Sequence, residues 1–196
     1  MKLSYFTLLI VTLLAGCAGV GMVYTSDPHQ KLENATVLYE QQNRPLAANR
    51  LFMEVISTCE ESKDRICLAR AWENYGAFLR SETVERWENE HGKGAFPADR
   101  YDQSAVYFGK AATTLFELQY YGNAANAYLD QAKSYEMAQR TTEACAAYLK
   151  TLDPFKKNYE EYLAKHPGAK PYTPAGFTSY EEFINAQRER IGCHGG

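Results

Sequence analysis

The chain has 196 residues, of which 21 are Lys or Arg and 24 are Asp or Glu, and its formal net charge is −3. Charges of both signs are interspersed, so the sequence lacks the concentrated basic character of a nucleic-acid-binding protein, and we expect no nucleic-acid partner. Apolar residues recur at spacings of three and four without β-alternation, and this pattern predicts an all-α fold.

The N-terminal residues have the composition of a signal peptide. One lysine precedes an apolar run from Tyr5 to Leu14, and small residues lead to Cys17. The run is too short to span a bilayer comfortably and no stop-transfer charges follow it, so residues 1–16 are predicted to be a signal peptide. The segment Leu14-Ala15-Gly16-Cys17 resembles a bacterial lipobox. The alternative is an ordinary signal peptide followed by a structural cysteine.

The lipobox resemblance implies cleavage before Cys17 and attachment of diacylglyceryl and acyl chains, such as palmitate, to that residue. Each buried methylene contributes about 0.8 kcal/mol, so several chains hold a protein on a membrane. Ala18 follows the cysteine in place of the aspartate that retains such proteins at the inner membrane. The resemblance therefore implies a lipid anchor in the outer membrane, facing the periplasm. Residues 17–28 are Gly-containing and weakly apolar, which predicts a flexible tether after the lipidated cysteine.

Residues 29–165 are predicted to form one helical domain. The Asp27-Pro28 pair favours a helix start, with a first helix from about 30 to 42, and Pro45 opens the second helix. Two further helical patterns begin near Leu68 and Tyr101. The stretch 121–150 carries one apolar stripe on each side of a polar break, so it predicts two short helices packed against each other.

An expansion interrupts the middle of this domain. Between Leu79 and the stripe that begins at Tyr101, the sequence contains a long polar segment instead of a tight turn. We expect the helix to continue through Val84 and Trp87 and to end near His91 with Gly92 as its cap.

The residue pattern from about Gln30 to Pro154 resembles tetratricopeptide repeats. The segment from Trp72 to Leu79 follows the W-x-x-L-G-x-x-Y opening with two conservative changes. Corresponding positions in the first hairpin are Leu32, Tyr39, Asn43, Ala48 and Phe52, and those in the third are Tyr128, Ala132, Tyr135, Ala144 and Tyr148. The resemblance implies three antiparallel helical hairpins, the middle one expanded, and a binding groove lined by the first helix of each.

The resemblance also implies which residues contact a partner. The groove positions have mixed charge, and they are Arg70, Glu73, Arg80, Asn126, Lys133 and Glu136. Most of the chain's aromatic residues lie at helical spacing and are expected in the core. Trp87, Tyr120 and Tyr121 fit core packing less well, so they are candidates for exposed aromatic contacts.

The end of the chain is predicted to cap the domain. Pro154 should bend or split the last hairpin helix, and residues 166–177 form a linker rich in Pro and Gly. Thr178 or Ser179 begins a final helix through a capping box with an acidic residue three positions later. Residues 178–192 are therefore expected to cover the last apolar face of the same domain.

Four cysteines remain in a chain that is expected to enter an oxidising compartment, and they allow three pairings. Cys59 and Cys67 flank a polar turn between two helices, so we expect a bridge there, which leaves Cys145 and Cys193 for each other. The second bridge closes a loop of nearly fifty residues and should stabilise by roughly 3 to 4 kcal/mol. The alternative is four buried free thiols.

The sequence contains no arrangement that favours catalysis or metal binding. The histidines lack metal-ligand spacing, and no serine or cysteine has the setting of a nucleophile, so we expect no cofactor, metal or enzymatic activity. Lipoproteins with such repeats commonly serve envelope assembly or secretion machines, and the resemblance implies a protein-binding adaptor. Two alternatives stay open: an immunity lipoprotein that neutralises a toxin delivered to the periplasm, and an enzyme that processes cell-wall glycans.

Overall fold

The computed structural model describes residues 25–170 and 172–193. The predicted signal peptide at residues 1–16, Cys17 and most of the predicted tether lie outside the described residues. Within them the protein is all-α, with nine helices and no strand. The predicted fold class is therefore confirmed.

The helices follow one another through short connections. They are α1 Pro28–Glu40, α2 Pro45–Glu61, α3 Arg65–Leu79, α4 Glu82–His91, α5 Arg100–Glu117, α6 Tyr121–Met137, α7 Thr141–Lys150, α8 Leu152–Lys165 and α9 Tyr180–Arg190. Four of them begin at polar caps, where Asp27, Asp64, Ser81 and Ser179 each accept a hydrogen bond from a backbone N–H two or three residues later. These bonds satisfy amides that the helix itself leaves unpaired.

Four of the connections turn through a single left-handed residue. Asn43, Lys63, Gln119 and Gln139 have φ values of 51°, 56°, 64° and 59°. After the last three, the next backbone N–H donates to the carbonyl five residues earlier, which is the hydrogen bond of a Schellman motif. The chain therefore reverses within three or four residues at each of these points, and consecutive helices pack closely.

The helices pack in sequence around three groups of buried residues. The first group joins α1 to α4 around Phe52 and Phe78, and the second joins α3, α5 and α6 through small residues such as Ala111 and Ala127. The third group holds α9 against α7 through Tyr148 and Ile184. Alanine dominates the second group, so α5 and α6 approach closely.

One helix boundary differs from the prediction that the apolar pattern gives. The helix expected to continue from Leu79 to His91 is interrupted, because the Ser81 hydroxyl caps a separate helix α4. Its predicted end at His91 and the cap at Gly92, with φ of 86°, are confirmed. The predicted split near Pro154 is also confirmed, since α7 ends at Lys150 and the proline lies in the first turn of α8.

The cysteines occupy the expected pairs. Cys59 and Cys67 lie within disulfide-bonding distance with their Cα atoms 5.7 Å apart, and the Cα atoms of Cys145 and Cys193 are 5.8 Å apart. The first pair spans the turn between α2 and α3. The second joins α7 to the residues after α9, across a sequence separation of 48.

None of the helices in the described ranges is both long enough and apolar enough to cross a membrane.

Candidate functional site

Helices α3 and α6 bring several of the predicted partner-binding residues together. An Nη of Arg80, at the end of α3, lies 2.7 Å from Oδ1 of Asp130 on α6. Nζ of Lys133, one turn further along α6, lies 3.5 Å from the same oxygen. Asn126 is exposed one turn before Asp130. We call the surface formed by Arg70, Glu73, Arg80, Asn126, Asp130 and Lys133 the α3–α6 face.

Arg80 links the two helices of this face. Its guanidinium also donates to the backbone carbonyl of Asp130 at 3.0 Å and lies 4.7 Å above the ring of Phe108. The side chain is largely buried, with 19% of its surface exposed. Hydrogen bonds between charged groups are strong when the side chain is largely buried, so Arg80 joins the end of α3 to α6.

A small polar network beneath Arg80 fixes the distance between α3, α5 and α6. The Ser104 hydroxyl donates to the carbonyl of Gly76 at 2.7 Å and lies 2.9 Å from the Ser134 hydroxyl. A Cβ at position 76 would meet the Phe108 ring at 3.0 Å, so the glycine permits this close approach. The α3–α6 face is therefore built on closely packed, hydrogen-bonded helices.

Glu73 is an acidic residue of this face whose pKa depends on both a neighbouring acid and a neighbouring base. Burial raises the pKa of Glu73, the nearby Asp130 raises it further, and Arg70 opposes the shift. Arg70 itself is exposed, and it also lines a groove of about 500 Å³ between α1 and α3 together with Leu32 and Val37. The face thus presents exposed cations at Arg70 and Lys133 beside a half-buried carboxyl group.

Glu136 lies apart from the other predicted residues. Its carboxylate accepts hydrogen bonds from Arg190 at 2.7 Å and 2.9 Å, and from the hydroxyl of Tyr148. These contacts join α6 to α9 and α7. Within the structure, Glu136 therefore holds the last helix in place.

The three aromatic candidates differ in exposure. Tyr120 is 44% exposed at the turn before α6. Trp87 is half-buried, with its ring stacked on His91 at 4.7 Å between centroids, and Tyr121 packs edge-on against Phe116 at 5.4 Å. Tyr120 is thus the most accessible of the three.

Asp130 was missed in the sequence, although it joins Arg80 to Lys133. The signal was present, because Asp130 follows Asn126 by four residues and precedes Lys133 by three, which places all three on one stripe of α6. Its partner Arg80 is fifty residues away in the chain, and the two meet because α3 and α6 both pack on α5.

One cluster of metal-type ligands occurs near the start of α3. Ligand atoms of His29, Asp64 and Cys67 lie within 4.8 Å of one another. The sulfur of Cys67 is paired with that of Cys59, and Asp64 accepts hydrogen bonds from two backbone amides of α3. Metals bind a thiolate and not a disulfide sulfur. These three residues are close to one another because the first turns of α1 and α3 lie side by side.

Comparison with known proteins found no matching family model, curated protein or solved structure.

Proposed function

We propose that this chain is a lipid-anchored protein of the periplasm that binds a polypeptide partner through the α3–α6 face, as an adaptor in an envelope assembly or secretion machine. In this proposal the helices are tetratricopeptide-like hairpins and α9 is their cap. The observation that carries it is the convergence of charged residues from two distant segments on one face, with Arg80 and Asp130 fixing its geometry.

The charge pattern supports a protein partner. Arg70 and Lys133 are exposed cations on separate helices, and Glu73 is a half-buried acid whose pKa responds to both Asp130 and Arg70. A polypeptide carries both charge signs and backbone donors and acceptors along its length, so it can complement such a mixed surface. Exposure of Asn126 adds an amide that can donate and accept.

The export half of the proposal rests on the cysteines and on the lipobox resemblance. Two cysteine pairs at disulfide distance support an oxidising compartment, where such bridges persist. Leu14-Ala15-Gly16-Cys17 supports a lipid on Cys17. Attachment through a tether would leave the α3–α6 face accessible from the periplasm.

The partner-binding proposal is tested by charge reversal at residues that do not hold the helices together. We expect Arg70→Glu/Lys133→Glu to reduce the amount of partner that co-purifies with the full chain after crosslinking in membranes, more strongly at low salt. Arg80 stays unchanged in this variant because its guanidinium bonds to Asp130, and a change there would disturb the structure of the face itself.

The matched control is Lys156→Glu/Lys165→Glu, which makes the same charge change at exposed positions of α8. Equal recovery of the same partner with both double variants would contradict the proposed face. The identity of the recovered protein separates the two binding functions, since a machine component supports the adaptor and a secreted toxin supports the immunity alternative.

The lipid anchor gives a separate prediction. Cys17→Ser should leave the helical domain folded and release it from the membrane fraction, because the acyl chains provide the strong apolar anchor. Mass spectrometry of the mature N-terminus is the decisive measurement. An unmodified cysteine at that terminus in the parent protein would contradict the lipid anchor.

A further inference from the structure

A second groove lies on the opposite side of α3 and α6 from the α3–α6 face. Residues in a helix advance by about 100°, so Trp72 points away from Arg70, and Tyr128 and Tyr135 point away from Asp130. These three aromatic residues, with Lys110 from α5 and Lys150 from the end of α7, line a groove of about 630 Å³. We call it the Trp72 groove.

The Trp72 groove contains a buried hydrogen-bond acceptor without a partner. Gln131 is 7% exposed and lines the groove, and its Oε1 atom has no hydrogen-bond partner among the described residues. An unpaired buried acceptor costs free energy, and such groups in folded proteins are uncommon. Oε1 has almost no surface open to solvent, so a ligand would reach it only after a small rotation of the amide; a hydrogen bond donated by the ligand would then remove this cost.

Gly109 on α5 makes room for the same amide. A Cβ at position 109 would collide with Nε2 of Gln131, so the glycine allows the side chain to occupy its place at the floor of the groove. Glycine within a helix is itself unfavourable, by about 1 kcal/mol relative to alanine. Two destabilising features therefore coincide at one point, as is expected where a site is maintained for binding.

The walls of the groove combine aromatic rings with cations. Nζ of Lys110 lies 5.5 Å from the centroid of the Trp72 ring, and Nζ of Lys150 lies 5.9 Å from that of Tyr128. Both lysines are exposed, and neither forms an ion pair among the described residues. No aspartate or glutamate lines the groove.

We propose that the Trp72 groove binds an acidic polypeptide segment, with carboxylates at Lys110 and Lys150, apolar atoms against Trp72, and a backbone N–H donated to Gln131. Charge complementarity favours this occupant, because two unpaired cations from different helices face a groove without acids. A polypeptide also offers N–H donors at regular intervals between its side chains, so one of them can pair with the Gln131 acceptor. This site is independent of the α3–α6 face.

The probe is a random dodecamer peptide library displayed on phage and selected against the purified full chain in detergent. We expect enrichment of sequences with two or more acidic residues. A synthetic peptide of the enriched sequence should change the fluorescence of Trp72, measured in a Trp87→Phe background that leaves Trp72 as the only tryptophan.

Two variants of groove residues test the contacts. Lys110→Glu/Lys150→Glu should weaken binding of the synthetic peptide by at least about tenfold, since two attractive charges become repulsive. Gln131→Leu should weaken it by about tenfold without lowering the melting temperature, because the leucine removes a hydrogen bond to the peptide and also an unpaired buried acceptor. If Gln131 had only a structural role, its substitution would not weaken peptide binding while the melting temperature stayed the same.

Two double variants serve as controls. Lys156→Glu/Lys165→Glu matches the charge change on α8, and Arg70→Glu/Lys133→Glu alters only the α3–α6 face, so both should bind the peptide as the parent does. Three results would overturn the proposal: no enrichment of acidic peptides, equal binding by Lys110→Glu/Lys150→Glu, or loss of binding in Arg70→Glu/Lys133→Glu. The last result would assign the peptide to the other face.

Discussion

Glu73 is a half-buried carboxylic acid close to a second carboxylate. Burial and the charge of Asp130 raise the pKa of Glu73, so its charged form is unfavourable in the folded protein. A raised carboxyl pKa means that the contribution of Glu73 to stability is fully present below the unfolded pKa. That contribution is lost as the pH rises through the folded pKa.

Glu73→Gln should therefore raise the free energy of unfolding at pH 7, and the difference from the parent should shrink as the pH falls and the parent carboxyl becomes protonated. Urea unfolding at a series of pH values measures this. The control is Glu161→Gln at an exposed position of α8. A stabilisation that is constant with pH would show that desolvation of Glu73 is not its cause.

The contacts of Arg80 could not be predicted from the sequence. The repeat resemblance placed Arg80 on a binding face, whereas in the structure its guanidinium contacts Asp130 and the Phe108 ring. Helical spacing assigns a side chain to a face of its own helix. Whether that side chain meets solvent or a neighbouring helix depends on tertiary packing, which the local pattern does not contain.

At the scale of elements, the tight turns between helices use non-glycine residues in the left-handed conformation. Gln139 has φ of 59° at the Schellman turn between α6 and α7. A residue with a side chain in this conformation destabilises the fold by about 1 to 2 kcal/mol. Glycine avoids this steric cost, but it loses more conformational entropy on folding.

Gln139→Gly should therefore stabilise the protein by a net ~0.5–1 kcal/mol, as measured by urea unfolding. The same substitution in a helix, Gln103→Gly in α5, should destabilise it by about 1 kcal/mol. Equal signs for the two variants would contradict the conformational account of the turn.

The two cysteine pairs should differ in their contributions. In the chain-entropy model, the pair that closes 48 residues stabilises by about 4 kcal/mol and the pair that closes 8 residues by about 2.5 kcal/mol. Cys145→Ala/Cys193→Ala should thus lower the free energy of unfolding more than Cys59→Ala/Cys67→Ala does. Guanidinium unfolding without reductant compares them.

In Cys145→Ala/Cys193→Ala, α9 should also be proteolysed faster, because the Cys145–Cys193 bridge ties the end of the chain to α7. A larger loss for the Cys59–Cys67 pair, or four alkylatable thiols in protein isolated from the periplasm, would contradict this assignment.

Helix boundaries were predictable where capping residues are explicit. The capping box at Thr178 and Ser179 forms as expected, since Glu182 donates its amide to the Ser179 hydroxyl and its carboxylate accepts from the Thr178 amide. The start of α4 was missed because the apolar pattern runs through Ser81. A serine can cap a new helix or lie within an old one, and the pattern alone does not decide between them.

At the scale of the whole molecule, the all-α class and both cysteine pairings followed from the sequence. Apolar periodicity determines the class, and short turns limit which cysteines can meet. The Trp72 groove did not follow, because its floor depends on Gly109 of α5 lying against Gln131 of α6. Neither residue alone predicts a groove, because the contact between them exists only once α5 and α6 have packed together.

The α3–α6 face and the Trp72 groove are two separate candidate binding surfaces. The α3–α6 face has mixed charge and the Trp72 groove is basic and aromatic, so the two differ in the partners they complement. Variants at one surface should leave the other unaffected, because Arg70 and Trp72 lie on opposite sides of α3.

The most direct test of the proposed function is site-specific photocrosslinking in the intact envelope. A photoreactive phenylalanine analogue at position 126, exposed on the α3–α6 face, should form an adduct with one protein, and that adduct should disappear in Arg70→Glu/Lys133→Glu. The analogue at position 160, where the Glu160 side chain is 61% exposed on α8, should give no such adduct. No adduct at position 126, or the same adduct at both positions, would contradict a binding function for the α3–α6 face.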